Sequence, residues 1–285
     1  MIDTIATVER NEELSQGYRL LVLDFELDIE ARAGQFAMLR AQALFEPLLR
    51  RALAVYRQLS PGRLSFLYQV LGRGTQALSQ LGPGSRVEAL IPLGNSWPVD
   101  LQAEGAGAGA TPPDTARAIV VAGGIGSASL LMLCEQLSKA NVETQILFGA
   151  ANAPAAKGCG LGDFAAIGLP LTITTDDGSL GERGFVTAPL ERLFKNQDFS
   201  SAVLYSCGPW PMMSRVAEIG ARYHVRCLVS LEAPMGCGFG VCVGCVVAVK
   251  SDGQPGYDSY KRVCVDGSIF PAEMIEWEVD AMLHS

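Results

Sequence analysis

The sequence has no run of lysine or arginine; its 22 basic residues are scattered among 30 acidic ones, for a formal net charge of −8. Nucleic acid and anionic membrane surfaces both reward positive charge, so neither is an expected partner. Histidine is nearly absent, and His224 and His284 both lie outside the metal-binding pattern described below. No basic, apolar leader opens the chain. "MIDTIATVERNEEL" carries acids there, and a cytoplasmic protein is expected. An uninterrupted membrane-length run is also missing. Ala118 to Cys134, "AIVVAGGIGSASLLMLC", comes nearest, but glycines and serines break it and its first half is β-branched. A buried strand, a tight turn and a helix fit it better.

What is present is a 49% hydrophobic composition over 285 residues, enough for a folded protein of two or three domains. The first hundred residues read as short strands, among them "GYRLLVLDFEL", "GQFAMLRA", "RLSFLYQVLG" and "SRVEALIPLG". Glycine, proline or charge separates them, as in a small antiparallel barrel. The stretch 102–116, "QAEGAGAGATPPDTA", is mostly alanine, glycine and proline with no aromatic, hence a linker or insertion. From 117 to 231 strands such as "RAIVVAGG" and "SAVLYSCGP" alternate with helical stretches such as "WPMMSRVAEIGARY", the pattern of a parallel sheet covered on both faces. From 232 to 285 the composition shifts to a compact tail rich in cysteine and glycine.

That tail holds the strongest signal. "EAPMGCGFGVCVGCVV" places Cys237, Cys242 and Cys245 within nine residues, and Cys264 follows after eighteen more. The spacing C-x4-C-x2-C…C is that of plant-type ferredoxins, whose four thiolates hold a [2Fe–2S] cluster. Gly236, Gly238, Gly240 and Gly244 let such a loop fold back on itself and bring backbone N–H groups to the sulfurs. A four-cysteine zinc site remains open, although zinc ribbons usually supply two C-x2-C knuckles and here there is one. Disulfides fit less well in a chain without an export signal. Cys134, Cys159 and Cys227 stand alone among small or apolar neighbours and read as core residues.

Two glycine turns point to phosphates. "VVAGGIGSAS" puts Gly123, Gly124 and Gly126 between a strand and a helix, where free N–H groups and the helix dipole meet a pyrophosphate. It is not a complete G-x-G-x-x-G, so a plain tight turn is the alternative. "LGRGTQALSQL" opens a short helix with Gly72, Gly74 and Thr75; an ordinary helix cap is the alternative there. Arg50 and Arg51 interrupt an apolar strand, "LLRRALAVY". They call for an anion, or else they form a surface pair on an edge strand.

Barrel, glycine-rich α/β half and cysteine tail, in this order, resemble the electron-transfer subunits of NAD-dependent dihydroorotate dehydrogenase, within the ferredoxin reductase-like flavoproteins. That family's "RRPxS" is met here by Arg50 and Arg51, with Ala52 and Ala54 in place of proline and serine. "YQVLGRGT", "PLGNSWP", "TDDGSLGERGFVT" and "SCGPWPM" are similar to family segments, as is "GGIGSAS" to "GGIGVAP". "SLEAPMGCGFGVCVGC" matches "SLEERMACGIGACxGC" at every cysteine. The resemblance implies an FAD-binding barrel (1–101), an NAD-binding α/β domain (117–231) and a [2Fe–2S] domain (232–285). It implies FAD contacts from Arg51, Leu53, Ala54, Tyr68, Val70, Gly74 and Thr75. NAD contacts would come from Gly123, Gly124, Gly126, Cys207, Gly208 and Pro209, and cluster ligands from Cys237, Cys242, Cys245 and Cys264.

A nicotinamide exchanges electrons in pairs and an iron–sulfur cluster takes one at a time, so a flavin belongs between them. Hydride transfer to a flavin needs no general acid or base, and no catalytic side chain is expected. The family further implies an FMN-containing catalytic partner in a heterotetramer, with electrons flowing to NAD+ in pyrimidine biosynthesis. A flavin and iron–sulfur reductase serving a hydrogenase or transhydrogenase would share every motif. A zinc-stabilised, non-catalytic adapter on the same scaffold is the reading from another class.

Overall fold

The computed structural model describes residues 1–41, 46–99, 117–199, 201–251 and 256–280. The segment expected as a linker, 102–116, lies outside them. The N-terminal half holds strands β1 (Ile2–Ser15), β2 (Tyr18–Phe25), β3 (Phe36–Ala41), β4 (Arg51–Ala54), β5 (Arg57–Ser60), β6 (Arg63–Gln69) and β7 (Arg86–Leu93), with helix α1 (Arg73–Ser79) before the last. They form one antiparallel sheet in the order β4-β3-β7-β1-β2-β6-β5. The sheet curls so that Leu21, Leu23, Leu64 and Phe66 are sealed from water. It does not close, however: β4 and β5 are its two edges. The expected barrel is therefore a half-barrel. Residues of β4 and β6 line a cavity there, described below.

The longest strand, β1, falls on the acidic opening of the chain. Only Ala6 and Val8 of it are buried, so its hydrophobic pattern is faint. Its place is set by backbone pairing to β2 and β7 on both sides.

The second sheet takes β8 (Arg117–Gly123), β9 (Glu143–Ala150), β10 (Leu171–Thr175), β11 (Glu182–Arg183), β12 (Ala202–Cys207) and β13 (Arg226–Ser230). Helices α2 (Leu131–Lys139), α3 (Ala153–Gly158), α4 (Leu161–Ala166), α5 (Thr187–Asn196) and α6 (Trp210–Arg222) connect and cover them. The β8 run "AIVVAG" is buried throughout, as a central parallel strand covered on both faces must be. After β13 come β14 (Val246–Ala248), β15 (Tyr260–Arg262), α7 (Val263–Asp266), β16 (Ile269–Pro271) and α8 (Trp277–Asp280). The cysteine-rich tail is not a detached unit. Its β16 pairs antiparallel with β13 and completes the order β11-β10-β9-β8-β12-β13-β16.

Two apolar cores hold the halves together. One continues from the half-barrel (Phe66, Tyr68) into the α/β layer (Leu130, Phe148, Phe164). The other runs from Met38 and Leu93 through Val229 and Phe270 to Cys245 and Cys264. Polar groups fix the first junction. The Tyr56 hydroxyl donates to Asp163 at 2.6 Å, and Arg57 pairs with Glu135 at 2.7 Å and Asp163 at 3.3 Å. Ala118 to Cys134 resolves into β8, a 3₁₀ turn at Gly124–Ser129 and the start of α2. Among the described residues no helix is long and apolar enough to cross a membrane.

Candidate functional site

The cysteine loop leaves β13, turns over the tail and returns along β14. Gly238 and Gly240 take positive φ, and so does Val243, at +55°. A β-branched residue in that region is strained, and the loop accepts this strain between Cys242 and Cys245. The thiols stand as two pairs. Cys237 lies beside Cys242, whose N–H donates to the Cys237 sulfur at 3.5 Å. Cys245 lies beside Cys264, and both are buried. Burial works to raise the Cys237 pKa, but hydrogen bonds from the N–H groups of Cys242, Phe239 and Val241 and from the Cys242 thiol outweigh it and lower it to about 6. Burial, with the adjacent Cys245 thiol, pushes Cys264 up to about 12.

An all-sulfur donor set suits iron–sulfur chemistry. The described residues hold no preformed group of three or more metal-binding His, Cys, Asp or Glu side chains; the two neighbouring pairs of thiols are the donors a two-iron cluster would draw on. Gly236 and Gly244 flank the Cys242 sulfur, where an added Cβ would lie 3.4 and 3.6 Å away. Larger side chains there would crowd the space beside the sulfur. Cys134, Cys159, Cys207 and Cys227 are buried elsewhere, and burial raises all four thiols.

A first cavity of about 420 Å³ opens in the seam of the half-barrel. Leu53, Ala54, Tyr68 and Thr75 line it, as does Cys207 from the α/β side. Arg51, Gly74 and Val70 are not in its wall. Arg51 and Gly74 nevertheless meet: a Cβ on Gly74 would lie 2.1 Å from Arg51 Nε, so only glycine lets the guanidinium lie flat on α1. Val70 packs against the first core instead. The two arginines separate. Arg50 is neutralised by Asp3 at 2.7 Å and by Glu88 at 3.5 Å. Arg51 donates only to the carbonyls of Leu49 and Arg50 among the described residues. No carboxylate among the described residues pairs with it, in contrast to Arg50. Thr75 accepts from the N–H groups of Leu71 and Gly72, which holds the turn before α1.

A second cavity, about 830 Å³, is bounded by Gly123, Gly124, Gly126, Gly208 and Pro209. Its floor depends on a close backbone crossing. A Cβ on Gly126 would lie 2.5 Å from Gly208 N and 2.6 Å from Cys207 C. The expected strand–turn–helix differs in one respect. The glycine turn winds as 3₁₀ and α2 begins only at Leu131, so the free N–H groups belong to the turn and not to α2.

Residues overlooked in the sequence sit where the cavities meet. Gln69, Ile125 and Glu232 line both. Glu232 borders water inside the cleft yet has protein walls around it, and this enclosure raises its carboxyl pKa. It is the first letter of the cysteine stretch quoted above, where no metal pattern called attention to it. Asp176 and Phe185 also line the second cavity. Arg215 does too, but it is paired with Glu191 and Glu218. From Glu232 the chain continues as Ala233, Pro234 and Met235 along the first cavity, and Cys237 is two residues further on. Two residues reach at most about 7 Å, so the cluster loop adjoins that cavity.

Residues 232–276 match the family model of the iron–sulfur cluster binding domain of dihydroorotate dehydrogenase B. The dihydroorotate dehydrogenase B (NAD(+)) electron transfer subunit of Desulforamulus reducens is 35% identical over 86% of this chain and 87% of its own. That of Bacillus caldolyticus is 39% identical, over 84% of each. Among solved structures, an NADH-dependent reduced ferredoxin-NADP oxidoreductase superposes with a TM-score of 0.78 at 25% identity. The match covers 96% of this chain and 90% of that one. A ferredoxin reductase of carbazole 1,9a-dioxygenase, at 17% identity and a TM-score of 0.64, shares the fold. With its iron–sulfur domain in place and curated relatives matched along most of its length, this chain belongs to the family of dihydroorotate dehydrogenase B electron-transfer subunits.

Proposed function

We propose that the chain passes electrons from the FMN of a catalytic partner subunit, through a [2Fe–2S] cluster and FAD, to NAD+, completing dihydroorotate oxidation in pyrimidine biosynthesis. One observation carries this reading. Glu232 lines both the glycine-rich cavity and the seam cavity, Ala233 to Met235 continue along the seam cavity, and the chain then runs into Cys237. Three sites in line on one segment suit three carriers in line.

The residues divide the work. Cys237, Cys242, Cys245 and Cys264 would hold the cluster, with the buried pair facing the core and Cys242 exposed. Arg51 would meet the flavin pyrophosphate beside the N–H groups at the start of α1, and the seam wall of Leu53, Ala54 and Tyr68 would hold the ring away from water. Gly123, Gly124, Gly126, Gly208 and Pro209 would admit the nicotinamide nucleotide against bare backbone. FAD, when bound, supplies the exchange between hydride and single electrons. Glu232, whose carboxyl pKa burial raises, would present a polar group at the junction of the two cavities. Outside, Phe239, Val241, Val243 and Val265 are exposed around Cys242, an apolar collar suited to a docked partner and dry enough for electron transfer.

The test is to isolate the native complex anaerobically and add dihydroorotate, then NADH. Recovery of an FMN-containing subunit, and bleaching of flavin and cluster absorbance by either donor, is the expected result. The likeness to the NADH-dependent ferredoxin-NADP oxidoreductase favours a second reading, service in a transhydrogenase-type complex. Recovery of such subunits without an FMN protein would replace the first reading by the second.

A further inference from the structure

The two walls of the seam cavity are chemically unlike. On the half-barrel side Ala52, Leu53, Ala54 and Leu67 present no hydroxyl, the Tyr68 hydroxyl is spent on Asn11 at 3.1 Å, and the Thr75 hydroxyl is spent on the turn at Leu71 and Gly72. On the α/β side stand Ser129, Cys207, Ser230 and Ser268, all at most 5% exposed. The serine hydroxyls are poorly satisfied. Ser129 Oγ donates to the Gly126 carbonyl at 3.4 Å, Ser230 Oγ to Ser268 Oγ at 3.5 Å, and Ser268 Oγ to the Gly34 carbonyl at 3.4 Å. Hydroxyl bonds prefer about 2.5–3.0 Å, so these are strained to their limit. Ser129 and Ser230 otherwise reach only the Cys207 sulfur, a weak partner. Buried hydroxyls held this loosely at a cavity wall are suited to a polar ligand edge.

The sequence supplies an independent sign. Where the resembled motifs have serine in "RRPxS" and proline in "GGIGVAP", this chain has Ala54 and Ser129. One hydroxyl has left the barrel wall and another has entered the facing wall of the same cavity. We propose that Ser129 and Ser230 are flavin-binding residues, whose hydroxyls supply from the α/β wall the ring-edge polar contact that Ala54 cannot make. This assignment rests on the reading of the seam cavity as the FAD site.

The experiment removes FAD reversibly from the full cluster-bearing chain and titrates it back, following flavin fluorescence and visible absorbance. Ser129→Ala is expected to weaken FAD binding about 5- to 10-fold, the loss of one hydrogen bond. Ser129→Ala with Ser230→Ala should weaken it further. Adding Ala54→Ser to Ser129→Ala should recover most of the affinity, because a hydroxyl returns on the opposite wall. Unchanged affinity and spectrum in both serine variants would overturn the assignment. So would a loss that Ala54→Ser leaves unrepaired, which would report packing alone. A wild-type chain that takes up no FAD would instead refute the flavin reading itself.

Discussion

Gly126→Ala tests the nucleotide floor most sharply. The added methyl would sit 2.5 Å from Gly208 N and 2.6 Å from Cys207 C and Gly208 Cα. These are backbone atoms, so no side chain can swing away. The turns after β8 and β12 must part by about 1 Å to restore ordinary contact near 3.5 Å. Overpacking of this kind costs about 1–3 kcal/mol, and with backbone on both sides the upper end is expected. Gly162→Ala is the control. It lies within α4 with no atom inside 4 Å of its would-be Cβ, so alanine there should stabilise by about 0.5–1 kcal/mol. Urea denaturation should place the two variants on opposite sides of wild type, separated by about 3.5–4 kcal/mol. NADH titration should show weakened binding in the first alone. A Gly126→Ala protein as stable as wild type, with undiminished NADH affinity, would refute the close-crossing account.

Other predictions follow from individual groups. Burial, then the bond to Asp163, raises the Tyr56 pKa well above 10. Its stabilisation is thus complete below the unfolded value near 10 and is lost as pH rises toward the folded one. Tyr56→Phe should cost about 1.5–3 kcal/mol at pH 7, and in denaturant melts the gap should narrow above pH 10; a constant gap would contradict this. Glu232 also has a raised folded pKa, so wild type is at its best relative to Glu232→Gln below pH 4.5 and loses ground as pH rises. Melting temperatures across pH 4–8 should show the glutamine variant ahead at neutrality, and a wild-type lead there would count against enclosure of the carboxyl. Asp176 borders the second cavity while Arg215 is neutralised, so, on the proposed NAD site there, Asp176→Ser should shift the NADPH-to-NADH affinity ratio about tenfold toward NADPH. An unmoved ratio would place the second ribose elsewhere.

The cluster loop was legible because its information is local: four cysteines at fixed spacing, with glycines between them. The alternation of β8 to α6 was legible for the same reason, since buried parallel strands are apolar throughout. β1 was not, because an outward-facing, acidic strand held by ladders on both sides carries little pattern of its own. The resemblance named Arg51 and not Arg50, but no local pattern says why the two differ. The difference lies in Asp3 and Glu88, brought alongside Arg50 only by folding. Glu232 and Gln69 escaped notice because they lie where two cavities meet, and no window of sequence contains that meeting. The half-barrel's open seam is likewise a tertiary fact.

The central claim is that four thiolates near the C-terminal end hold two irons. Iron and acid-labile sulfide should be measured in anaerobically purified wild type and Cys264→Ser. The account predicts about two of each per wild-type chain, and a large loss of both, with the visible absorbance, in the variant. Unchanged iron and sulfide in Cys264→Ser, or zinc in place of iron in wild type, would contradict it.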